Sequence, residues 1–254
     1  MSKEKYTHIA VVMDRSGSMS SIAKDMSGGL AAFIAEQKKV EGDATVTFAK
    51  FDEVYEREVE WADIKSVSAF ELHPRGSTAL LDAMGNTMEF VREHIQGMAE
   101  AERPSKCVFV FITDGEENAS HEYTREQVFQ MISQLRSDND HFGTQFEFTF
   151  LGANQDAIQA GASLGVRGGA SLNYVATSAG AAGAFNSLTE TMTNYRSLRC
   201  ASFTYSDDQR AQSMGHAKKK SAKQKDDVPP VSPADAVQKG PLDAMGDNDT
   251  LVVR

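Results

Sequence analysis

Residues Ile9-Ala10-Val11-Val12-Met13 form an unbroken apolar run. A strand with one wet face alternates apolar and polar residues. A run without alternation fits a strand buried on both faces, as in a parallel sheet with helices on either side. The run stops abruptly at Asp14-Arg15-Ser16-Gly17-Ser18. Three oxygen-bearing side chains therefore project at i, i+2 and i+4 from one tight turn, which Gly17 allows to bend. One carboxylate and two hydroxyls suit a hard divalent cation such as Mg2+, which takes oxygen ligands and keeps several waters. Taken alone, the loop has a second, less favoured reading as a polar strand-to-helix turn in which Ser16 or Ser18 caps the next helix.

The remaining pattern supplies the partners of that strand. A helix is predicted over 20–40, with Ile22, Met26, Leu30, Phe33 and Ile34 at three- and four-residue spacing. Gly28-Gly29 lies inside it, where close packing against a neighbour would account for two residues of poor helix propensity. Strands are predicted over 44–51 and 54–61. Only Asp52-Glu53 separates them, so they form an antiparallel hairpin. The second carries Glu56, Arg57, Glu58 and Glu60, as a protected sheet edge does. Pro74 and Gly76 mark a loop, and a helix follows to about residue 99. The most apolar run in the chain, Cys107 to Ile112, predicts the central strand and ends in Thr113-Asp114-Gly115. Glu116, Glu117 and Asn118 read as exposed residues of the following turn. A helix over 123–137 places Val128, Phe129, Ile132 and Leu135 on its core face, with Thr124 and Gln127 at capping-box spacing. A strand over 145–151, a short helix over 154–164, a strand over 171–176 and a helix over 178–198 complete the series. The last helix presents Ala182, Phe185, Leu188, Met192 and Tyr195 on one face. A hairpin followed by alternating strands and helices is the pattern of a doubly wound, Rossmann-like α/β sheet.

Three loops of this series carry a resemblance. Asp14-x-Ser16-x-Ser18 resembles the DxSxS signature of the von Willebrand factor A (vWA) domain, where it forms the metal-ion-dependent adhesion site. Gly76-Ser77-Thr78-Ala79-Leu80 resembles the second metal loop of that family, and Thr113-Asp114-Gly115 the third. They fall in the family's order, and the resemblance spans about residues 6 to 198. It implies the strand order 3-2-1-4-5-6, with strand 3 antiparallel at the edge, flanked by helices. It also implies a metal held by Asp14, Ser16, Ser18, Thr78 and Asp114, with Mg2+ as the ion and Mn2+ or Ca2+ as alternatives. In the family, an Asp or Glu carboxylate of a protein partner completes the coordination. Met19, Ser20 and Ser21 stand where integrin-type domains carry further acids, so a second adjacent calcium site is not expected.

The totals bound the alternatives. A chain of 254 residues with a net charge of -10 does not favour nucleic acid or anionic lipid as a partner. No run approaches the ~18 apolar residues of a membrane span. The start of the chain shows no secretory pattern, and the two cysteines form no CxxC or Cys/His cluster. A cytoplasmic protein of the bacterial or phage vWA type is expected. An enzyme is not. A Mg2+-dependent phosphoryl-transfer enzyme of the haloacid dehalogenase kind would carry a second acid at i+2, where Ser16 stands, and neither Gly-x-Ser-x-Gly nor Gly-x-Gly-x-x-Gly occurs where hydrolase or dinucleotide chemistry needs it. The other alternative is a scaffold with a structural metal, whose tail docks a partner. Residues 1–205 are expected to form the domain. Residues 206–254, rich in proline and charge and without an aromatic residue, are expected to form a disordered or weakly ordered tail. Oligomeric state is not readable from the chain.

Overall fold

Six segments of the chain pair into one sheet, side by side in the order Tyr55–Asp63, Asp43–Phe51, Lys3–Asp14, Pro104–Thr113, Gln145–Ala153 and Ser171–Tyr174. The computed structural model describes residues 3–68, 70–137, 142–153 and 156–216. The strands are β1 (Lys3–Asp14), β2 (Asp43–Phe51), β3 (Tyr55–Asp63), β4 (Pro104–Thr113), β5 (Gln145–Ala153) and β6 (Ser171–Tyr174). All neighbours are parallel except β2 and β3, which are antiparallel. The helices are α1 (Ala23–Gln37), α2 (Leu80–Gly97), α3 (Arg125–Ser137), α4 (Ala157–Ser163), α5 (Ser178–Arg196) and α6 (Asp207–Ser213). Strand order and hairpin are as the sequence predicts, with element ends moved by a few residues.

Successive side chains of a strand point to opposite faces, and here both faces are covered. Ile9, Val11, Met13, Val108, Val110 and Ile112 join one apolar cluster with Met26, Phe33, Phe185 and Leu188 of α1 and α5. Ala10, Val12, Phe109, Phe111, Phe148 and Phe150 join another with Met84, Val91, Val128 and Ile132 of α2 and α3. Residues Ile9 to Met13 are wholly buried, which is why that run does not alternate. Two face assignments need correction. Phe129 of α3 is 38% exposed, and Ala182 of α5 is exposed while Ala181 and Ala184 are buried. In both helices the apolar stripe runs one position away from the residue predicted.

At the charged edge, Trp61 stands between His8 and His94, with ring centroids 3.6 and 4.0 Å away. Its indole N–H donates to the Tyr6 hydroxyl at 3.0 Å. Burial, with the neighbouring His94, holds the His8 imidazole well below the ordinary histidine range and keeps it neutral.

Residues 206–216 depart from the expected tail. Ser206 and Gln209 form a reciprocal capping box at the start of α6. Gln209 Nε2 donates to Thr191 Oγ1 of α5, and Arg210 donates to the main-chain oxygens of Ser171, Gly168 and Gly169. This segment is fastened by polar groups, so apolar composition gives no sign of it. The rest of the expected tail, 217–254, lies outside the described residues.

The two adjacent glycines of α1 differ in their surroundings. A Cβ on Gly29 would lie 2.1 Å from the Phe185 ring, whereas one on Gly28 would meet nothing within 4 Å. Gly29→Ala is expected to destabilise the protein by about 1–3 kcal/mol through overpacking. Gly28→Ala is expected to stabilise it by up to about 1 kcal/mol. Urea denaturation of the two variants measures both signs.

Candidate metal centre

β1 and β4 are neighbours, so the loops leaving their carboxyl ends meet. Asp14 closes β1 and is wholly buried. Its Oδ1 accepts the Ser16 amide at 2.6 Å, and its Oδ2 accepts the Thr113 hydroxyl at 2.6 Å. Ser16 opens a short 3-10 turn, Gly17–Ser21, without capping it through the side chain. Its hydroxyl instead lies 3.0 Å from that of Ser18, which donates to Asp114 Oδ1 at 2.5 Å. The reading of this loop as a simple helix cap is therefore not what the side chains do. Thr78 is buried as well and is no helix cap: α2 begins at Leu80, its N-cap is Ala79, and no side chain caps it. A Cβ built on Gly115 would stand 3.4 Å from Thr78 Oγ1 and 3.5 Å from Ser18 Oγ, so both hydroxyls face the same bare stretch of backbone. Asp14, Ser16, Ser18, Thr78 and Asp114 thus lie together.

The electrostatics fit a cation. Burial pushes the Asp14 carboxyl up to about 6, against the hydrogen bonds from Thr113 and Ser16, and the Asp114 charge adds to the rise. Burial also raises Asp114, against the bond from Ser18. Asp14 has no basic partner among the described residues, so its ionised form is compensated only by hydrogen bonds. Two carboxylates and three hydroxyls are a hard-oxygen donor set of low charge, which suits Mg2+ better than the carboxylate-rich cages of Ca2+. Among the described residues no three His, Cys, Asp or Glu side chains converge to hold a metal.

The loops are held by residues that the motifs do not contain. Asp52, between β2 and β3, is buried and accepts from Arg15 Nε at 3.0 Å, Arg75 Nε at 2.6 Å and the Val54 amide at 2.7 Å. Burial opposes the Asp52 charge. The Arg75 and Val54 bonds and the two arginine charges outweigh it and hold the carboxyl below its ordinary range. Main-chain bonds run alongside, from Arg75 N to Arg15 O at 2.8 Å and from Gly17 N to Gly76 O at 3.1 Å. On the other side, Asn118 Oδ1 accepts the Thr78 amide, and Glu117 accepts the Leu81, Ala119 and Ser120 amides. Glu117 and Asn118, expected from sequence to be exposed turn residues, stitch the third loop to the start of α2. These bonds span 36 and 40 residues, so no local pattern in the sequence announces them.

No family model and no curated protein sequence matches the chain. Solved structures do. The vWF domain of the type V pili tip protein from Porphyromonas gingivalis is similar at a TM-score of 0.50 and 12% identity, over 73% of this chain and 94% of that one. The fold is von Willebrand factor A-like. The pilus adhesin SpaC from Lactobacillus rhamnosus GG matches with a TM-score of 0.56 and 12% identity, over 74% of this chain and 30% of that chain. Proximal thread matrix protein 1 from the mussel byssus matches with 0.50 and 17%, over 76% and 46%. The chain thus spans less than half the length of the mussel protein, and the likeness is one of fold. In this vWA-like fold the three loops occupy the carboxyl end of the sheet.

Two outcomes follow from the geometry. Asp52→Asn leaves the buried Arg15 guanidinium with the half-exposed Glu56 as its remaining charge partner and is expected to cost about 1–3 kcal/mol by urea denaturation. The raised Asp14 favours the neutral acid in the cation-free fold, so the stability it contributes is full below the unfolded carboxyl range and is lost as pH rises through about 6. A divalent cation binds the ionised form. Mg2+ should therefore raise Tm more at pH 8 than at pH 5, and Asp14→Asn should abolish the difference, as read by thermal denaturation.

Proposed function

We propose that this chain is a protein-interaction module in which a divalent cation, Mg2+, joins the loop cluster to a carboxylate of a partner protein. One observation carries the reading: oxygen-bearing side chains from three loops far apart in sequence converge beside Asp14, a buried acid without a basic partner. Asp14 and Asp114 would supply charge, and Ser16, Ser18 and Thr78 neutral oxygens. When bound, the cation would supply an electrophilic centre, because few anionic ligands leave its charge undiminished. An acidic side chain is the complementary group. Arg15, Asp52 and Arg75 fix the first two loops, and Asn118 and Glu117 fix the second to the third. The adhesin and pilus-tip proteins of similar fold are in keeping with a role in recognition. No reaction is assigned to the site.

Calorimetric titration of the full chain with Mg2+ tests the proposal. One saturable site is expected in the wild type and none in Asp14→Ala, whose circular dichroism should be unchanged. A short glutamate-containing peptide should then bind only with Mg2+ present, and its glutamine counterpart should not. No Mg2+ binding at millimolar concentration, or equal binding of both peptides, would sink the reading.

A further inference from the structure

At the amino ends of the strands lie two cavities of about 690 and 450 Å3, which share Arg196 and Val40 in their walls. Tyr6 of β1 lines the first, and Asp14 closes the same strand roughly 26 Å away at ~3.3 Å per residue. Arg196, the last residue of α5, is only 4% exposed. Its Nη1 donates to Gln37 O at 2.7 Å and Gln37 Oε1 at 3.1 Å, which closes the end of α1. The other edge of the guanidinium is unused. Nε is buried without an acceptor, Nη2 has none among the described residues, and no carboxylate there pairs with the group. Burial alone lowers its pKa to about 10, with no opposing acid. Nε and Nη2 form the edge that presents two parallel N–H groups to an oxyanion.

A second observation is independent of charge. Among the described residues, three that are not glycine have left-handed backbones: Lys5 at φ 62°, Trp61 at 47° and Leu198 at 59°. All three line these cavities. Lys5 and Trp61 stand at irregularities of the β1–β4 and β2–β3 registers, and Leu198 follows the end of α5, where Arg199 N donates to Asn194 O at 2.9 Å. In the smaller cavity Lys5 pairs with Glu41 and Lys39 with Glu36. That leaves Arg196 and the exposed Arg199, which has no acidic partner among the described residues, beside the Thr193 and Ser197 hydroxyls.

We propose that the smaller cavity is a phosphate-binding site, with the free edge of Arg196 as its centre and Arg199 as the second cation. Two arginines that have no acidic partner among the described residues, beside hydroxyls, match a phosphate dianion better than a single carboxylate. The phosphate is either inorganic or the end of a small phosphomonoester whose organic part enters the larger cavity, between Tyr6, Trp61, Ile64 and Met98.

The test titrates the full chain with inorganic phosphate and with phenyl phosphate, in EDTA at constant ionic strength and near-neutral pH. Saturable binding is expected in the wild type and in Asp14→Ala, since the metal loops take no part. Arg196→Lys keeps the charge and loses the fork, and should weaken binding about tenfold or more. Arg199→Ala, a change at an exposed side chain, should weaken it several-fold and carries the test if Arg196→Lys does not fold. Tighter binding of phenyl phosphate assigns the ester, and equal binding assigns the inorganic ion. Absence of saturable binding, binding untouched by the arginine changes, tighter binding of acetate than of phosphate, or binding lost in Asp14→Ala would overturn the site.

Discussion

Burying Asp14 at the end of β1 takes a carboxylate out of water, and the surrounding loops are arranged to hold it. Its two oxygens are engaged by an amide of its own loop and a hydroxyl of the neighbouring strand, so the acid fixes the relation between β1 and β4. Hydrogen bonds alone do not balance the charge, since the carboxyl still titrates well above its ordinary range. The same acid therefore links the ends of two strands and, in the proposed function, forms the centre of the cation site. The strands that deliver it are parallel and covered on both faces, so the loops at this end are where chemistry can be displayed.

Asp52 sets a second constraint. It receives guanidinium groups from two loops at once, on one carboxylate oxygen. The loop after β1 cannot shift relative to the loop before α2 without breaking at least one of these bonds. With Asn118 and Glu117 tying the second loop to the third, the candidate ligands behave as a single assembly and not as three independent turns.

Much of this was legible in the chain. The run from Ile9 to Met13 does not alternate because it is buried on both sides, and the acidic stretch from Glu56 to Glu60 lies on an edge strand. The motifs placed Asp14, Ser16, Ser18, Thr78 and Asp114 at loops that the fold brings together. What stayed hidden is polar and long-range. The bonds from Asp52 to Arg15 and Arg75 span 37 and 23 residues, and no local pattern announces them. Arg196 sits in an ordinary amphipathic helix, and its unused edge exists only once α1 closes against it. Phe129 shows the limit of periodicity, which locates an apolar stripe to within one position.

The way α6 is fastened has a consequence for how the molecule opens. β1 is anchored by apolar contact on both faces, so its amides can exchange with solvent only when the sheet itself comes apart. α6 is a short helix held by a capping box and by side-chain bonds from Gln209 and Arg210. Bonds of that kind contribute little net free energy in water, because solvent replaces them when they break. By this account α6, though packed on Gly183 of α5 and joined to Val175 N through Ser213 O, is held more weakly than the sheet, and its amides should exchange before those of β1.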